Sequence, residues 1–303
     1  MNAALDTALP DRTKFLGSSD AAPILGLSPW RTPLEVYQDK IIPRAIEPDR
    51  TKERIFARGK RLEPVVCEML AAEEGIEISR RNQRYQDFEF PFLAAEIDAE
   101  TADGQNVEIK TVSPFMAKEW GEEQSDQIPL HYCVQVLHAL MVTRRERAIV
   151  ATLIGADDLR IYRVERDDEL IARIRSEELA FWDRIQRRDP PPVTTLADAA
   201  LRWPASITRS VVADAELAEK IGILRQAKAQ LKELEMTVET LELAAKGRLG
   251  DADTLLSPEG YKLCTWKSQT SNRLDVKALE SAHPEIVAQF KRASTYRIFR
   301  LSK

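Results

Sequence analysis

Asp98-Ala-Glu-Thr-Ala-Asp-Gly104-Gln-Asn-Val-Glu108-Ile-Lys110 is the stretch whose reading fixes the fold. Val107 to Val112 alternates apolar and polar residues, as a half-buried strand does. Phe92 to Ile97 is strand-like too, and Asp103-Gly104 between them is a hairpin signal. On the second strand Glu108 and Lys110 share one face while Ile109 points to the other. A two-residue loop would set Asp98 opposite Ile109. A three-residue loop, Ala102-Asp103-Gly104 with a left-handed Gly104, sets Asp98 opposite Glu108 instead. That loop is a common hairpin type and is the register expected.

Two carboxylates then face each other across a strand pair, with a lysine beside them. Like charges in that position repel unless a cation lies between them. Mg²⁺ takes oxygen ligands, usually one or two carboxylates with water and phosphate. The Ile109 carbonyl is a further neutral oxygen. Lys110 is placed to position or deprotonate a water, or to stabilise charge on a phosphate. The plainer alternative is an ordinary hairpin with a surface Glu and Lys, because an Asp followed ten residues later by Glu-x-Lys is a short, degenerate signal.

The 303 residues suit one large domain, or a domain with appendages. A hydrophobic fraction of 44% supports a real core, and 31% charged residues suit a soluble chain. No apolar run approaches a membrane span, and the first residues lack the basic and apolar regions of a signal peptide. Cys67, Cys133 and Cys264 lie far apart, so free thiols in a reducing cytoplasm are expected, and a four-cysteine zinc or iron–sulfur site is not. The net charge of −5 leaves nucleic-acid binding to local patches. Two candidates are Arg54, Arg58, Lys60 and Arg61, and Arg80, Arg81 and Arg84; each is equally well read as a solvated face.

Gly17-Ser18-Ser19-Asp20 before an apolar run marks a helix start, with Gly26 as its stop. Thr32-Pro33 caps a second helix over Leu34–Lys40. A helix N-terminus with free hydroxyls is an anion site, so Ser19 with Arg12 is a candidate phosphate contact, against a simple capping role. Thr51–Gly75 reads as a helix that Pro64 must kink or restart, with Glu63 just before it. Strands are expected over Ile76–Arg84 and Gln86–Ile97, then an irregular loop holding Phe115, Lys118 and Trp120. A helix follows over Leu130–Thr143, with His131, Gln135 and His138 on one stripe that does not suit zinc. Two strands, Arg147–Ile154 and Arg160–Val164, and an amphipathic helix over Asp168–Gln186 complete a mixed sheet flanked by helices. The fold class expected is α/β (α+β).

Residues 191–212 read as a Pro-rich linker between a core over 1–190 and a C-terminal region over 213–303. In that region Ala213–Gly247 is one long helix. Leu217, Leu224, Leu231, Val238 and Ala245 recur every seven residues on it, a coiled-coil-like seam. A β-hairpin over 254–267, a short helix over Asp275–Glu280 and a final strand over Tyr296–Leu301 follow.

Taken together, these motifs resemble the YqaJ-like viral recombinase family, relatives of the lambda phage exonuclease with the PD-(D/E)xK nuclease fold. The likeness covers most of 12–188. It rests on Leu16-Gly-Ser-Ser-Asp-Ala-Ala-Pro-Ile-Leu-Gly-Leu-Ser-Pro-Trp30, Arg58-Gly-Lys-Arg-Leu-Glu63-Pro, Glu96-Ile-Asp98, Glu108-Ile-Lys110 and His131-Tyr-Cys-Val-Gln135, in that order. The resemblance implies that Asp98 and Glu108 bind metal with the Ile109 main-chain oxygen. It makes Glu63 an assisting acid, assigns Lys110 to the attacking water and has Gln135 orient groups beside it. It also implies that Arg12 and Ser19 hold a 5′-phosphate. Ile97 stands where the fold's name has proline.

The resemblance further implies a Mg²⁺-dependent 5′→3′ exonuclease on double-stranded DNA ends, with Mn²⁺ able to substitute. Such an enzyme leaves 3′ single strands for phage-type recombination. A single-strand annealing partner, a homo-oligomer such as a ring-shaped trimer, and a phage or prophage origin with a cytoplasmic location go with it. The alternatives are a structure-specific or endonucleolytic repair nuclease of the same fold, and a non-catalytic DNA-binding assembly protein.

Overall fold

The computed structural model describes residues 11–42 and 50–302, the Lys52 side chain excepted. The chain divides into two compact units, Met1–Arg202 and Trp203–Lys303.

The first unit opens with a 3₁₀ turn, Arg12–Lys14, then β1 (Leu16–Gly17), α1 (Ser18–Ile24), α2 (Pro33–Ile41) and α3 (Arg50–Glu73). Three strands follow, β2 (Ile78–Gln86), β3 (Leu93–Thr101) and β4 (Asn106–Val112), then α4 (Leu130–Thr143). The unit closes with β5 (Arg147–Ile154), β6 (Asp158–Glu165), α5 (Asp168–Arg187) and α6 (Leu196–Arg202). α2 starts where local chemistry dictates. Thr32 accepts from the Glu35 N–H, the Glu35 carboxylate accepts from the Thr32 N–H, and Pro33 occupies the first turn.

The sheet runs β1-β3-β4-β5-β6, with β2 on the other edge of β3. β4 and β5 are parallel, whereas β5–β6 and β3–β4 are antiparallel, so the sheet is mixed. After its first residue β5 is buried throughout and apolar except for Thr152, as suits a central strand. One face of the sheet packs on α1, α2, α4 and α5 through Leu34, Val136, Leu140, Ile174 and Phe181. The other packs on α3 through Val66, Cys67 and Leu70, against Val107, Ile109, Ile149 and Ile161. The mixed sheet between helical layers is the α/β class the pattern predicts.

Several local expectations are corrected. The strands expected over Ile76–Arg84 and Gln86–Ile97 are instead β2 and β3, separated by a turn at Asp87, whose carboxylate accepts from the Glu89 and Phe90 N–H groups. Of the kink or restart expected at Pro64, the restart does not occur: α3 runs through it as one helix. The stretch expected as a linker over 191–212 contains α6, and the first compact unit extends to Arg202. There the buried Asp198 accepts from the Thr32 hydroxyl at 2.6 Å and from the Thr194 and Thr195 N–H groups.

The second unit holds α7 (Ala215–Leu249), a two-stranded hairpin of β7 (Thr254–Leu256) and β8 (Lys262–Thr265), α8 (Val276–Ala282) and α9 (Pro284–Phe290). The strand expected over Tyr296–Leu301 has no regular structure, and Tyr296, Ile298 and Phe299 are exposed. Alternation makes a strand only where a sheet edge is offered to it, and among the described residues none pairs with this segment.

Candidate active site

β3 and β4 pair only at their ends nearest the turn, Ala99 with Val107 and Glu100 with Asn106. The turn is the three-residue loop Ala102-Asp103-Gly104, with Gly104 at φ +87° and the Thr101 N–H on the Gln105 carbonyl. Continued by one step, this register sets Asp98 opposite Glu108. The ladder stops there. β2 covers one edge of β3 along its length, so β1, which pairs with Leu93 and Ala94, fills the edge that β4 leaves. The sheet therefore forks at Asp98.

The fork is also visible in the side chains. Ile97 belongs to the core beside α4 and Ala99 to the core beside α3, so the alternation of β3 breaks at Asp98. Across β2, Asn82 has φ +53° and lies unpaired between Arg81, opposite Ala99, and Gln83, opposite Ile97. Where β3 departs, the Asp98 carboxylate replaces it and accepts from the Ile109 N–H at 2.9 Å. In a strand a residue's N–H and C=O point to the same edge. The Ile109 carbonyl therefore also faces the gap beside Asp98.

Ile109 packs in the core under α3, which leaves Glu108 and Lys110 on the opposite face, toward α4. Lys110 Nζ lies 2.5 Å from Glu108 Oε1 and donates to Gln135 Oε1 at 3.2 Å. Gln135 Nε2 donates to Glu108 Oε1 at 2.5 Å. Glu108 is only 6% exposed. Burial pushes its carboxyl up to about 7, against the pull of the Lys110 ammonium, and the charges of Asp98 and Glu63 add to the rise. Lys110 is held above its usual range: burial pulls it down, but Glu108 and Asp98 outweigh that. Glu63, on α3, is half-buried and 2.9 Å from Lys60. Its own carboxyl is raised by burial, against Lys60, with Asp98 adding to the rise.

The structure thus brings Asp98, Glu108, Lys110 and Gln135 together, with Glu63 within electrostatic reach. Among the described residues no three His, Cys, Asp or Glu side chains form a metal cage. Mg²⁺ does not require one, since it keeps several waters and binds through one or two carboxylates plus phosphate oxygens. Asp98, Glu108 and the Ile109 carbonyl are such a set. Burial is the main cause of the rise at both Glu63 and Glu108, and the charge of Asp98 adds to each; a divalent cation bound among these acids would favour their ionised forms.

Arg12 and Ser19 also meet, with the guanidinium donating to the Ser19 hydroxyl at 3.0 Å. Beneath them Asp20 is buried and accepts from the Gly17 N–H, and Lys40 Nζ lies 2.7 Å away. Arg84 stacks 4.1 Å from the Phe15 ring. Arg84 lies two residues from Asn82, and Asn82 accepts from Lys60 at 2.6 Å. The two basic clusters read from the sequence are therefore neighbours, and they connect the Arg12–Ser19 pair with the Glu63 side of the fork.

Tyr132 was not legible as a site residue, yet its ring lies 4.9 Å from Lys110 Nζ. The available signal is its place three residues before Gln135, on the same face of α4. Trp120 is buried against Tyr132 and Tyr162 and belongs to the core, whereas Phe115 is exposed. His138 is buried against Glu178 rather than near the fork.

Residues 9–146 match the model of the YqaJ-like viral recombinase domain. The uncharacterized protein YqaJ of Bacillus subtilis (strain 168) is 31% identical over 303 residues, which cover 97% of this chain and 93% of that protein. The chain belongs to the YqaJ-like family. Among solved structures, this YqaJ-like chain is similar to an alkaline exonuclease of Laribacter hongkongensis, at 19% identity and a TM-score of 0.47, over 59% of this chain and 91% of that one. A phage-related exonuclease of Haemophilus somnus 129PT matches at 15% identity and a TM-score of 0.40, over 57% and 94%.

Proposed function

We propose that this YqaJ-like protein is a Mg²⁺-dependent deoxyribonuclease of the PD-(D/E)xK type, acting 5′→3′ from double-stranded ends and leaving 3′ single strands for recombination. The observation that carries this reading is the fork in the sheet, which gathers Asp98, Glu108 and the Ile109 carbonyl beside Lys110 and Gln135. Asp98 and Glu108 would hold the metal, with Glu63 as a supporting acid. The metal, when bound, supplies a Lewis acid for a phosphate oxygen and a more acidic water. Lys110, kept as an ammonium, holds the attacking water and offsets charge on the phosphate. Gln135 fixes Glu108 and Lys110 relative to each other.

Support for an end-directed reaction comes from the Arg12–Ser19 pair. A terminal 5′-phosphate would accept from both, and the Arg84–Phe15 stack and Lys60 would track the backbone from there toward the fork. The decisive experiment compares linear duplex, labelled at the 5′ or 3′ terminus, with closed circular duplex in Mg²⁺. The expected result is early release of 5′ label as mononucleotide, late release of 3′ label, and an intact circle. Cleavage of the circle at a rate comparable to the linear duplex would replace this reading with an endonuclease.

A further inference from the structure

α7 is thirty-five residues long, and it exposes nearly all of its apolar seam. Leu231 is 56% exposed, Leu234 60% and Leu241 66%. A helix of this length spans about 52 Å. Propensity alone does not explain a continuous heptad stripe left in water.

We propose that α7 pairs antiparallel with α7 of a second copy of this chain, independently of the chemistry at the fork. The charge order along the helix chooses the partner and its direction. Between residues 220 and 232 the charged residues are Lys220, Arg225, Lys228 and Lys232, all cationic; between 233 and 242 they are Glu233, Glu235, Glu239 and Glu242, all anionic. Two parallel copies stack like charge on like along the whole helix. Two antiparallel copies lay each basic block on the acidic block of the other.

The seam fits the same direction. Antiparallel pairing about a two-fold axis between residues 232 and 233 sets Leu231 opposite the second copy's Leu234. The same register sets Leu224 opposite Leu241 and Ala227 opposite Val238, so that every central layer is apolar. At the ends it sets Lys220 opposite Ala245 and Arg248 opposite Leu217, where the long alkyl stems can cover small or apolar neighbours. Parallel pairing would instead set Lys220 and Arg248 against their own copies inside the seam. Beside the central layers the antiparallel register brings Lys228 next to Glu235 of the second copy, twice by symmetry. A foreign helix would satisfy the apolar stripe, but nothing would require it to mirror this charge order.

The test uses the full-length protein. In sedimentation experiments, Lys228→Glu or Glu235→Lys alone should weaken self-association about fivefold or more, because two attractive pairs become repulsive. The double variant Lys228→Glu/Glu235→Lys should recover it. A chain carrying Leu224→Cys and Leu241→Cys should oxidise to a covalent dimer whose peptide map shows residue 224 linked to residue 241. These positions are about 25 Å apart within one helix, so the link can only be between chains. Self-association unmoved by the single charge reversals, or not recovered in the double variant, overturns the proposal. So do 224–224 links, which mean parallel pairing, and the absence of any interchain link, which means that the chain's own tail or another partner covers the seam.

Discussion

Asp98 accepts one hydrogen bond in the fork, from the Ile109 N–H, and Glu108 is buried beside a lysine whose pull does not offset the effect of burial. Both are ordinary acids in an unusual place, and their removal should act on chemistry more than on folding. Asp98→Ala or Glu108→Ala is expected to lower Mg²⁺-dependent cleavage by about a thousandfold or more, on the order of 4 kcal/mol, with DNA binding in the absence of metal retained. Lys110→Ala should lower kcat more than it raises KM, since its ammonium is assigned to the reacting water and phosphate; a change in KM alone refutes that role. Arg12→Ala should erase any rate difference between 5′-phosphate and 5′-hydroxyl ends, while Ser19→Ala should weaken the preference. Equal wild-type rates on the two ends remove the Arg12–Ser19 pair from the reading but leave the fork intact. His138 supplies a pH effect remote from this chemistry. Its Nε2 faces the Ala94 carbonyl, which can only accept, and its Nδ1 lies 2.7 Å from Glu178. Burial lowers its pKa, but Glu178 and the Ala94 carbonyl outweigh that and hold it above 6.5. A raised folded value means that the stability gained is whole below the unfolded pKa and is lost as pH rises through the folded one. Denaturant unfolding from pH 6 upward should show this decline, and His138→Asn should flatten it.

The hairpin β3–β4 is the element that sets the register of the site. Its loop has one demanding position, Gly104, whose added Cβ would touch nothing within 4 Å, so that the cost of substitution lies in the backbone. Gly104→Ala should destabilise the protein by about 1 kcal/mol, and Gly104→Asn by less, because asparagine tolerates a left-handed backbone. An Ala variant as stable as wild type would mean that the loop does not depend on this conformation. The hairpin was readable from Asp103-Gly104 and from the alternation after Val107. The end of β3–β4 pairing at Ala99 was not, because nothing in the strand sequence announces that β1, almost eighty residues earlier, will take over that edge. Likewise Pro64 announces a kink or a restart, and with Val66, Cys67 and Leu70 packed against the sheet α3 continues through it without restarting.

At the scale of the molecule, the first compact unit extends past the proline run to Arg202. A chain ended after Arg202 should fold and keep the cleavage proposed for the fork. One ended after Asp189 loses α6, Val193 and Leu201 from the core, and the Asp198 carboxylate from Thr32. It should be less stable by at least about 2 kcal/mol, from one charge-assisted hydrogen bond and the lost burial. Thermal unfolding of the two truncations separates them, and equal midpoints would put the working boundary at the proline run instead.

The sequence alone determined what repeats or punctuates locally. The Gly104 turn, the Thr32-Pro33 cap, the buried run of β5 and the long helix α7 are all set by neighbours a few residues away, and all are found where their residues place them. It also marked Asp98, Glu108, Lys110 and Gln135 as candidates, through spacing and family resemblance. Only the tertiary structure decided that the sheet forks at Asp98, that Tyr132 lies over Lys110, that Arg84 joins the Arg12–Ser19 pair to the basic face of α3, and that α6 belongs to the first unit. The alternating stretch Tyr296–Leu301 fails as a strand for the same reason. Each of these outcomes depends on which distant segment supplies an edge, a ring or a partner, and such pairings are set by the shape of the whole core, which no local pattern encodes.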